Sequence, residues 1–436
     1  MASNRSNTRS SPFNRKAQHD AKRMAILSEA ARLFNGKGSR ATTLQDVAKG
    51  LGLTKTSLYY YVRTKEDLIF QCYDLALQKQ HECLDYLEAQ STSPLEKARE
   101  FFRHQFASWI NARDGRDVHI AALLEIASLK AERRAIIERE YVRMFKRLRS
   151  FLRDAQASGQ AREFEPTSTT RALIGATDWL FYWLPQMDVD SVNTAADTCW
   201  DILLNGVNGE ARAYEAPPIP AGAPADRPSQ GFDREEQNKL KQEAFYKAGT
   251  WFFNKAGFNG ASLDDIAEHL NVSKGAFYYH IRNKEDLLYA CYERSISIME
   301  GIHGRVMATD VSGLEKFDET ARRVFHAQNS DVGPLIRYNT ITALPKERRL
   351  NILAATEKNN SLFDTFILEG VDDGSIRAVD PFLARSLMAG AINASMDIGL
   401  WRRVDDIDAA AIDYFDIFFN GLLPRTKAEK RVGGKA

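Results

Sequence analysis

The chain is poor in cysteine, has no long apolar run, and carries no glycine-rich loop of the kind that cradles phosphate. Its four cysteines, Cys72, Cys83, Cys199 and Cys291, lie far apart. That spacing gives no metal motif and reads as buried thiols of a cytoplasmic protein. Apolar stretches are short and broken by charge, so neither a membrane span nor a signal peptide is expected. There is no nucleophile elbow and no zinc signature, which leaves an enzyme, a cofactor and a metal site without support. His104 and His119 fall on expected helices with no clustered carboxylates, so neither is read as a ligand. A strong net charge is also missing: 59 Lys/Arg meet 58 Asp/Glu. The charge is unevenly spread, however. Residues 1–65 hold thirteen basic residues against three acidic ones, and a local excess of this kind is the footprint of a polyanion partner.

What is present is helical pattern. Length and a 44 % hydrophobic fraction leave room for two to four folded domains. Thr43 can cap a helix with Asp46 closing a capping box, and Leu44, Val47, Ala48 and Leu51 form one apolar face. Gly52 can take positive φ and end that helix, and Thr54 caps the next, with Leu53 and Leu58 as a hydrophobic staple. Lys55, Thr56, Ser57, Tyr59, Tyr60 and Tyr61 remain outward, a set of hydroxyls, phenols and a cation suited to a DNA groove. This is a helix-turn-helix pattern. It recurs from Ser262 to His280 at an offset of 219, as in Tyr59 and Tyr278, with Asn271 in place of Gly52. Asn is the non-glycine residue that best tolerates positive φ. Both copies continue into Arg-x-Lys-Glu-Asp-Leu, at Arg63 and at Arg282.

The repetition extends beyond these heads. Gly159 to Arg162 with Pro166 matches Gly374 to Arg377 with Pro381, and Asp201, Ile202, Asn205 and Gly206 match Asp416, Ile417, Asn420 and Gly421, now at offset 215. A whole two-domain unit is duplicated, and the second copy has lost four residues in its middle helices. The expected division is a flexible basic arm over 1–20, a first head over 21–68, a first body over 69–213, a proline-rich linker over 214–231, a second head over 232–287, a second body over 288–424 and a basic tail over 425–436. The arm would follow the DNA backbone or enter a minor groove. The first head's leading helix should stop at Asn35–Gly38. In the first body, helices are expected over Leu95–Trp109, Val118–Leu129, Glu132–Ala157, Thr170–Trp183 and Val189–Leu204. The linker's eighteen positions, extended, could span on the order of 55 Å. The fold class is all-α.

The pattern of Phe34, Gly38, Thr43, Val47-Ala48, Leu51 to Thr54, Leu58-Tyr59, Val62 and Lys65 to Leu68 resembles the DNA-binding domain of the TetR family of bacterial one-component regulators. Phe253, Gly257, Ser262, Ile266-Ala267, Leu270, Val272-Ser273, Phe277-Tyr278, Ile281 and Lys284 to Leu287 match it equally well. The resemblance implies that Thr43, Ser262, Lys65, Lys284, Tyr59 and Tyr278 bind phosphate. It places Gln45, Thr56, Ser57, Tyr60 and Tyr61 at base edges. In the second head those places are held by Asp264, Gly275, Ala276, Tyr279 and His280, beside Lys274. Asp264 would repel phosphate, and Gly275 and Ala276 offer no side-chain hydrogen bonds, so the second head is expected to be the weaker reader.

The resemblance further implies two partners, a double-stranded DNA operator and a small organic effector, an acyl-CoA or another hydrophobic molecule. Trp109, Trp179, Tyr182 and Trp183 are the candidate pocket residues, the last three serving either core and interface packing or ligand contact. The face from Arg133 to Arg153 is either solvated or meets an acidic ligand. The expected function is a cytoplasmic repressor released by its ligand. Two alternatives stay open: a ligand-independent architectural DNA-binding protein, and a ligand sensor whose second head has lost DNA binding. In the usual family member two identical bodies pair their last two helices. Here that pairing could be an intramolecular pseudo-dimer or a homodimer of double-length chains.

Overall fold

In the computed structural model, residues 12–123, 126, 129–219, 234–330 and 332–425 are described. These residues are predominantly helical, with no strand among them and one isolated bridge between Asn208 and Ile376. The first head is built from α1 (Pro12–Ala41), α2 (Leu44–Gly50) and α3 (Lys55–Tyr59). Thr43 closes a full capping box with Asp46, and Thr54 accepts from the Ser57 N–H. Gly52 has φ 64°, and its counterpart Asn271 has φ 58°. Ile26, Leu27, Val47, Ala48 and Leu58 are buried together beneath these caps. The α1 helix differs from expectation at its start. It begins at Pro12, so part of the expected flexible arm is helix; residues 1–11 lie outside the described set. Its break falls at Gly38, with φ 81°, because only there does the backbone leave the helical region.

The first body follows as α4 (Lys65–Ala89), α5 (Pro94–Arg113), α6 (Ala131–Ala157), α7 (Pro166–Asp178), α8 (Leu180–Trp183) and α9 (Val189–Asn205). Residues 118–123 are not helical, contrary to the helix expected over 118–129. The Asn35 side chain brackets the segment instead, donating to the Ile120 carbonyl at 2.8 Å and accepting from the Ala122 N–H at 2.9 Å. Backbone groups satisfied this way need no helix. The apolar residues that mimicked helical spacing, Val118, Ala121 and Leu123, pack the segment onto the first head.

The second half repeats the order: α10 (Arg234–Gly260), α11 (Leu263–His269), α12 (Lys274–His280), α13 (Lys284–Met307), α14 (Gly313–Asn329), α15 (Lys346–Asp373), α16 (Pro381–Ala394), α17 (Ile398–Trp401) and α18 (Ile407–Asn420). Asn254, the counterpart of Asn35, holds Leu335 and Arg337 in the same bracket, at 2.8 and 2.9 Å. The offset is 219 at the caps of α5 and α14 (Ser93 and Ser312) and 215 at these brackets. The four lost residues therefore lie between, where α14 has 17 residues against 20 in α5. Under each head a cysteine is covered by the first helix: the Cys72 thiol points at the Leu27 carbonyl and the Cys291 thiol at that of Tyr246. Burial raises both pKa values, Cys291 to about 12, so neither is a reactive thiolate.

The bodies share one continuous core. Helix α7 crosses α16 where Gly175 meets Gly390. A Cβ on Gly390 would stand 2.6 Å from the Gly175 carbonyl oxygen, so no larger residue fits without movement. The repeated Gly-x-x-Arg and Asp-Ile-x-x-Asn-Gly motifs build the seam reciprocally. Arg162 N–H donates to Leu422 O and Arg377 N–H to Val207 O, each at 2.9 Å. Arg162 pairs with Asp416 and Arg377 with Asp201, each at 2.6 Å. Contacts exchanged between equivalent residues are the mark of an isologous interface.

The segment expected to be a free linker is partly docked. Tyr214 N–H donates to Asn420 at 2.7 Å, and its phenol donates to Asp318 at 3.0 Å. Arg322, fully buried against Asp318, also donates to the Pro217 carbonyl at 2.7 Å. The rest of the expected linker, from Pro220 to Gly231, and the tail beyond Arg425 lie outside the described residues.

Candidate nucleic-acid interface and first-half cavity

In the first head, Thr43, Gln45, Lys55, Thr56, Ser57, Tyr59 and Tyr60 are exposed on the α2–α3 face. Leu58, on the opposite side of α3, is fully buried and fixes that face outward. The Lys55 ammonium lies 5.7 Å from the Tyr59 ring centre, so cation and phenol stand side by side. Tyr61 departs from its expected base-edge position. It is half-buried against the head core, and the His19 ring packs on it at 4.8 Å. The α1 helix begins early enough to place His19 there, which closes that side of the phenol.

The second head has the same frame and another surface. Lys274, Tyr278 and Tyr279 are exposed on α12, and Ser262 caps α11. Asp264 reaches across to this helix: its carboxylate accepts from Lys274 at 2.6 Å and from the Tyr278 phenol at 3.3 Å. The pair lowers the Asp264 pKa and raises that of Lys274. His280, like Tyr61, is half-buried, with its ring 5.6 Å from Phe245. Each is less open than its neighbours on the same helix face.

Lys65 and Lys284 stand at equivalent helix starts, and each donates to a backbone carbonyl, that of Arg40 at 3.0 Å and that of Ala261 at 2.8 Å. The heads also touch. Arg40 of the first lies 4.1 Å over the Phe258 ring of the second and pairs with Glu285 at 3.3 Å. Burial, together with this neighbouring Arg40, lowers the Lys284 pKa.

A cavity of about 250 Å³ lies in the first half, between α1, α4, α5, the bracketed segment and α7–α8. Trp109 lines it, with the Arg113 guanidinium 5.2 Å from its ring. The Gln80 and Gln105 amides are bonded to one another on its wall, at 2.8 and 2.9 Å. His119 is also on the wall; its pKa is lowered by burial and then by Arg32. Among the described residues no group of three or more His, Cys, Asp or Glu could hold a metal ion. No helix there is long and apolar enough to cross a membrane.

The other expected pocket residues do not meet in this cavity. Trp183 is buried core, edge-on to Phe106 and Phe382. Trp179 and Tyr182 stack at 4.2 Å, and both rings face Tyr338 of the second half. Aromatic composition alone could not separate cavity from contact, because both use flat apolar surface. The residues missed, Gln80, Gln105 and His119, come from three separate segments, and no local signal joins them.

Comparison with known proteins agrees with these features. The family described as "Bacterial regulatory proteins, tetR family" matches twice, over residues 26–72 and 246–291. The "Tetracyclin repressor-like, C-terminal domain" matches residues 91–207. The chain belongs to the TetR family. It is a tandem member with two TetR-type units, and it is a transcription regulator. The transposon Tn10 TetC protein of Escherichia coli is 24 % identical over 161 residues, which is 36 % of this chain and 79 % of TetC. The repressor DhaR of Mycobacterium sp. strain GP1 is 26 % identical over 183 residues, 41 % of this chain and 90 % of DhaR. The TetR-family regulator PfmR of Thermus thermophilus, a solved structure, is 27 % identical with a TM-score of 0.32, covering 39 % of this chain and 94 % of PfmR.

Proposed function

We propose that one chain works as an internal pseudo-dimer: a cytoplasmic repressor whose two unlike heads read an operator with two dissimilar half-sites. The observation that carries this reading is the reciprocal seam, in which equivalent arginines of the two halves exchange equivalent bonds. Tethering favours pairing within the chain over pairing between chains, because a short linker sets an effective concentration near millimolar. Paired heads of this type span about one DNA turn, roughly 34–36 Å.

In this reading Lys55 neutralises phosphate and Tyr59 donates its phenol to it, while Gln45, Thr56, Ser57 and Tyr60 meet base edges. The second head contributes Tyr278, Tyr279 and Lys274 once Asp264 has been displaced from them. The effector is a compact hydrophobic molecule, or the acyl end of an acyl-CoA, in the first-half cavity. Arg32, Asn35 and Gly36 of the first head's own α1 form part of that cavity's wall. An occupant therefore presses directly on a DNA-reading domain, which supports release on binding.

Light scattering and selection from a random duplex pool test the reading together. A mass near 49 kDa with a non-palindromic selected site supports it. A stable mass of twice that, with a palindromic site, overturns it in favour of a homodimer of tandem chains.

A further inference from the structure

Beside the seam a second cleft, of about 1080 Å³, opens between α6 and α7 of the first body, α10 of the second head and the α16–α17 corner. Its size exceeds the usual 300–1,000 Å³ of ligand sites, so a large ligand fits. One wall is aromatic: Trp401 of the second half lies 4.3 Å from Phe145 and 6.0 Å from Tyr141. The lining is also basic, with Arg134, Lys146, Arg149, Arg171, Lys255 and Arg337 against the carboxylates Glu138 and Asp178.

Most cations of α6 are already paired. Arg133 meets Asp67 at 2.8 Å, Arg134 meets Glu138 at 2.6 Å, and Arg147 meets Asp85 and Glu88. Lys146 and Arg149 have no carboxylate partner among the described residues. Lys146 is exposed, and Arg149 donates to the Thr167 hydroxyl at 3.2 Å with its guanidinium over Phe145.

The duplicated copy shows that the frame does not require these residues. At offset 215, Lys146, Arg149 and Arg171 become Ser361, Asp364 and Ser386, and Tyr141 and Phe145 become Thr356 and Asn360. The counterpart of Trp401 is Gln186. One side of the pseudo-symmetric pair is thus basic and aromatic, and the other polar and acidic.

We propose that this cleft binds an amphipathic organic anion, with its apolar body on Phe145, Tyr141 and Trp401 and its charged end at Lys146 and Arg149. The site adjoins the first-half cavity at Tyr141 and Asp178 but is built from both halves, so it rests on the pairing of halves within one chain. Its wall includes Trp251, Asn254 and Lys255 of α10, and Arg134 already donates to the Lys255 carbonyl at 3.3 Å. The occupant bridges the first body and the second head, and it acts on the head that the first-half cavity does not touch.

Two dyes with the same rings separate charge from shape: 8-anilino-1-naphthalenesulfonate and its uncharged analogue N-phenyl-1-naphthylamine. Fluorescence titration of the full chain should show one high-affinity site for the sulfonate, roughly tenfold tighter than the neutral dye. In K146S/R149D, which installs the second half's residues, that preference should vanish while neutral-dye affinity and circular dichroism stay unchanged. K146S alone, at an exposed position, should lose part of it. Equal affinity for both dyes in the unaltered chain, or a preference untouched by either variant, overturns the proposal. With a mass near 49 kDa, such a result leaves the pairing of halves standing. A mass of twice that removes the pairing and the cleft together.

Discussion

Where the first head carries Gln45 the second carries Asp264, and that one carboxylate changes what the neighbouring helix can offer. Lys55 and Tyr59 stand together on an open face, whereas Lys274 and Tyr278 are both held by Asp264. Phosphate reaching the second head must displace an internal anion before it meets the cation. The caps, turns and cores are shared almost residue for residue, so duplication has kept the frame and let the exposed side chains that the frame does not need drift apart.

The contrast is sharpest, in energy, inside the bodies. Leu84 in the first is matched by His303 in the second, at the same 219 offset, and both are buried. Neither ring nitrogen of His303 has a partner among the described residues, and Phe363 and Phe366 lie 5.1 and 6.1 Å away. Burial lowers its pKa from 6.5 to about 4. The unfolded chain therefore takes up a proton that the folded chain refuses. Stability from this group is complete above pH 6.5 and is lost as pH falls toward 4, by about 3 kcal/mol over the window. Urea unfolding of H303L, which restores the first half's residue type, should lack this loss. The same acid dependence in both proteins would mean that the histidine is not its source.

On DNA, K55A/Y59F should weaken binding to the selected operator roughly a hundredfold and lower the salt slope by about one unit, since only Lys55 carries charge. The matching K274A/Y278F change should cost less than about tenfold, since those groups begin tied to Asp264. Equal losses at one fixed salt would erase the distinction between the heads. At the seam the halves should instead behave alike. G390A places its methyl against the Gly175 carbonyl and should cost about 2 kcal/mol in thermal or urea unfolding. No change there would mean that α7 and α16 do not approach so closely. The smallest effect is a gain: D264Q, giving the second head the first head's residue, should tighten operator binding about tenfold and steepen its salt dependence. A loss of affinity would show that Asp264 reads a base or orders the helix.

Local chemistry was the legible part of the sequence. Caps at Thr43 and Thr54 and the positive-φ turn at Gly52 or Asn271 depend on residues a few positions apart, and periodicity gave the all-α class. The repeated Gly-x-x-Arg and Asp-Ile-x-x-Asn-Gly motifs were visible as repeats, yet nothing local said that Arg162 would bond across to Leu422 and Asp416. The expected helix failed over 118–123 because its apolar spacing serves docking, and two of its backbone groups are satisfied by Asn35 from more than eighty residues away. Tyr61 and His280 were placed outward by position in the motif. Their burial depends on His19 and Phe245, which lie in another helix. The hold of Asp264 on Lys274 and Tyr278 likewise spans the turn between two helices.

The reciprocal seam also has a consequence for direction. Two identical heads joined in this way can be turned end for end on their site without any change, so such a complex has no front or back. Here the seam keeps that symmetry while the heads break it. If one chain binds as the proposed pseudo-dimer, it points one way along the duplex, with its more open face upstream or downstream according to the order of the half-sites. Inverting the operator in front of a promoter reverses which head, and which of the two ligand-facing bodies, stands nearest the start of transcription. The site acquires an arrow that a palindrome cannot encode.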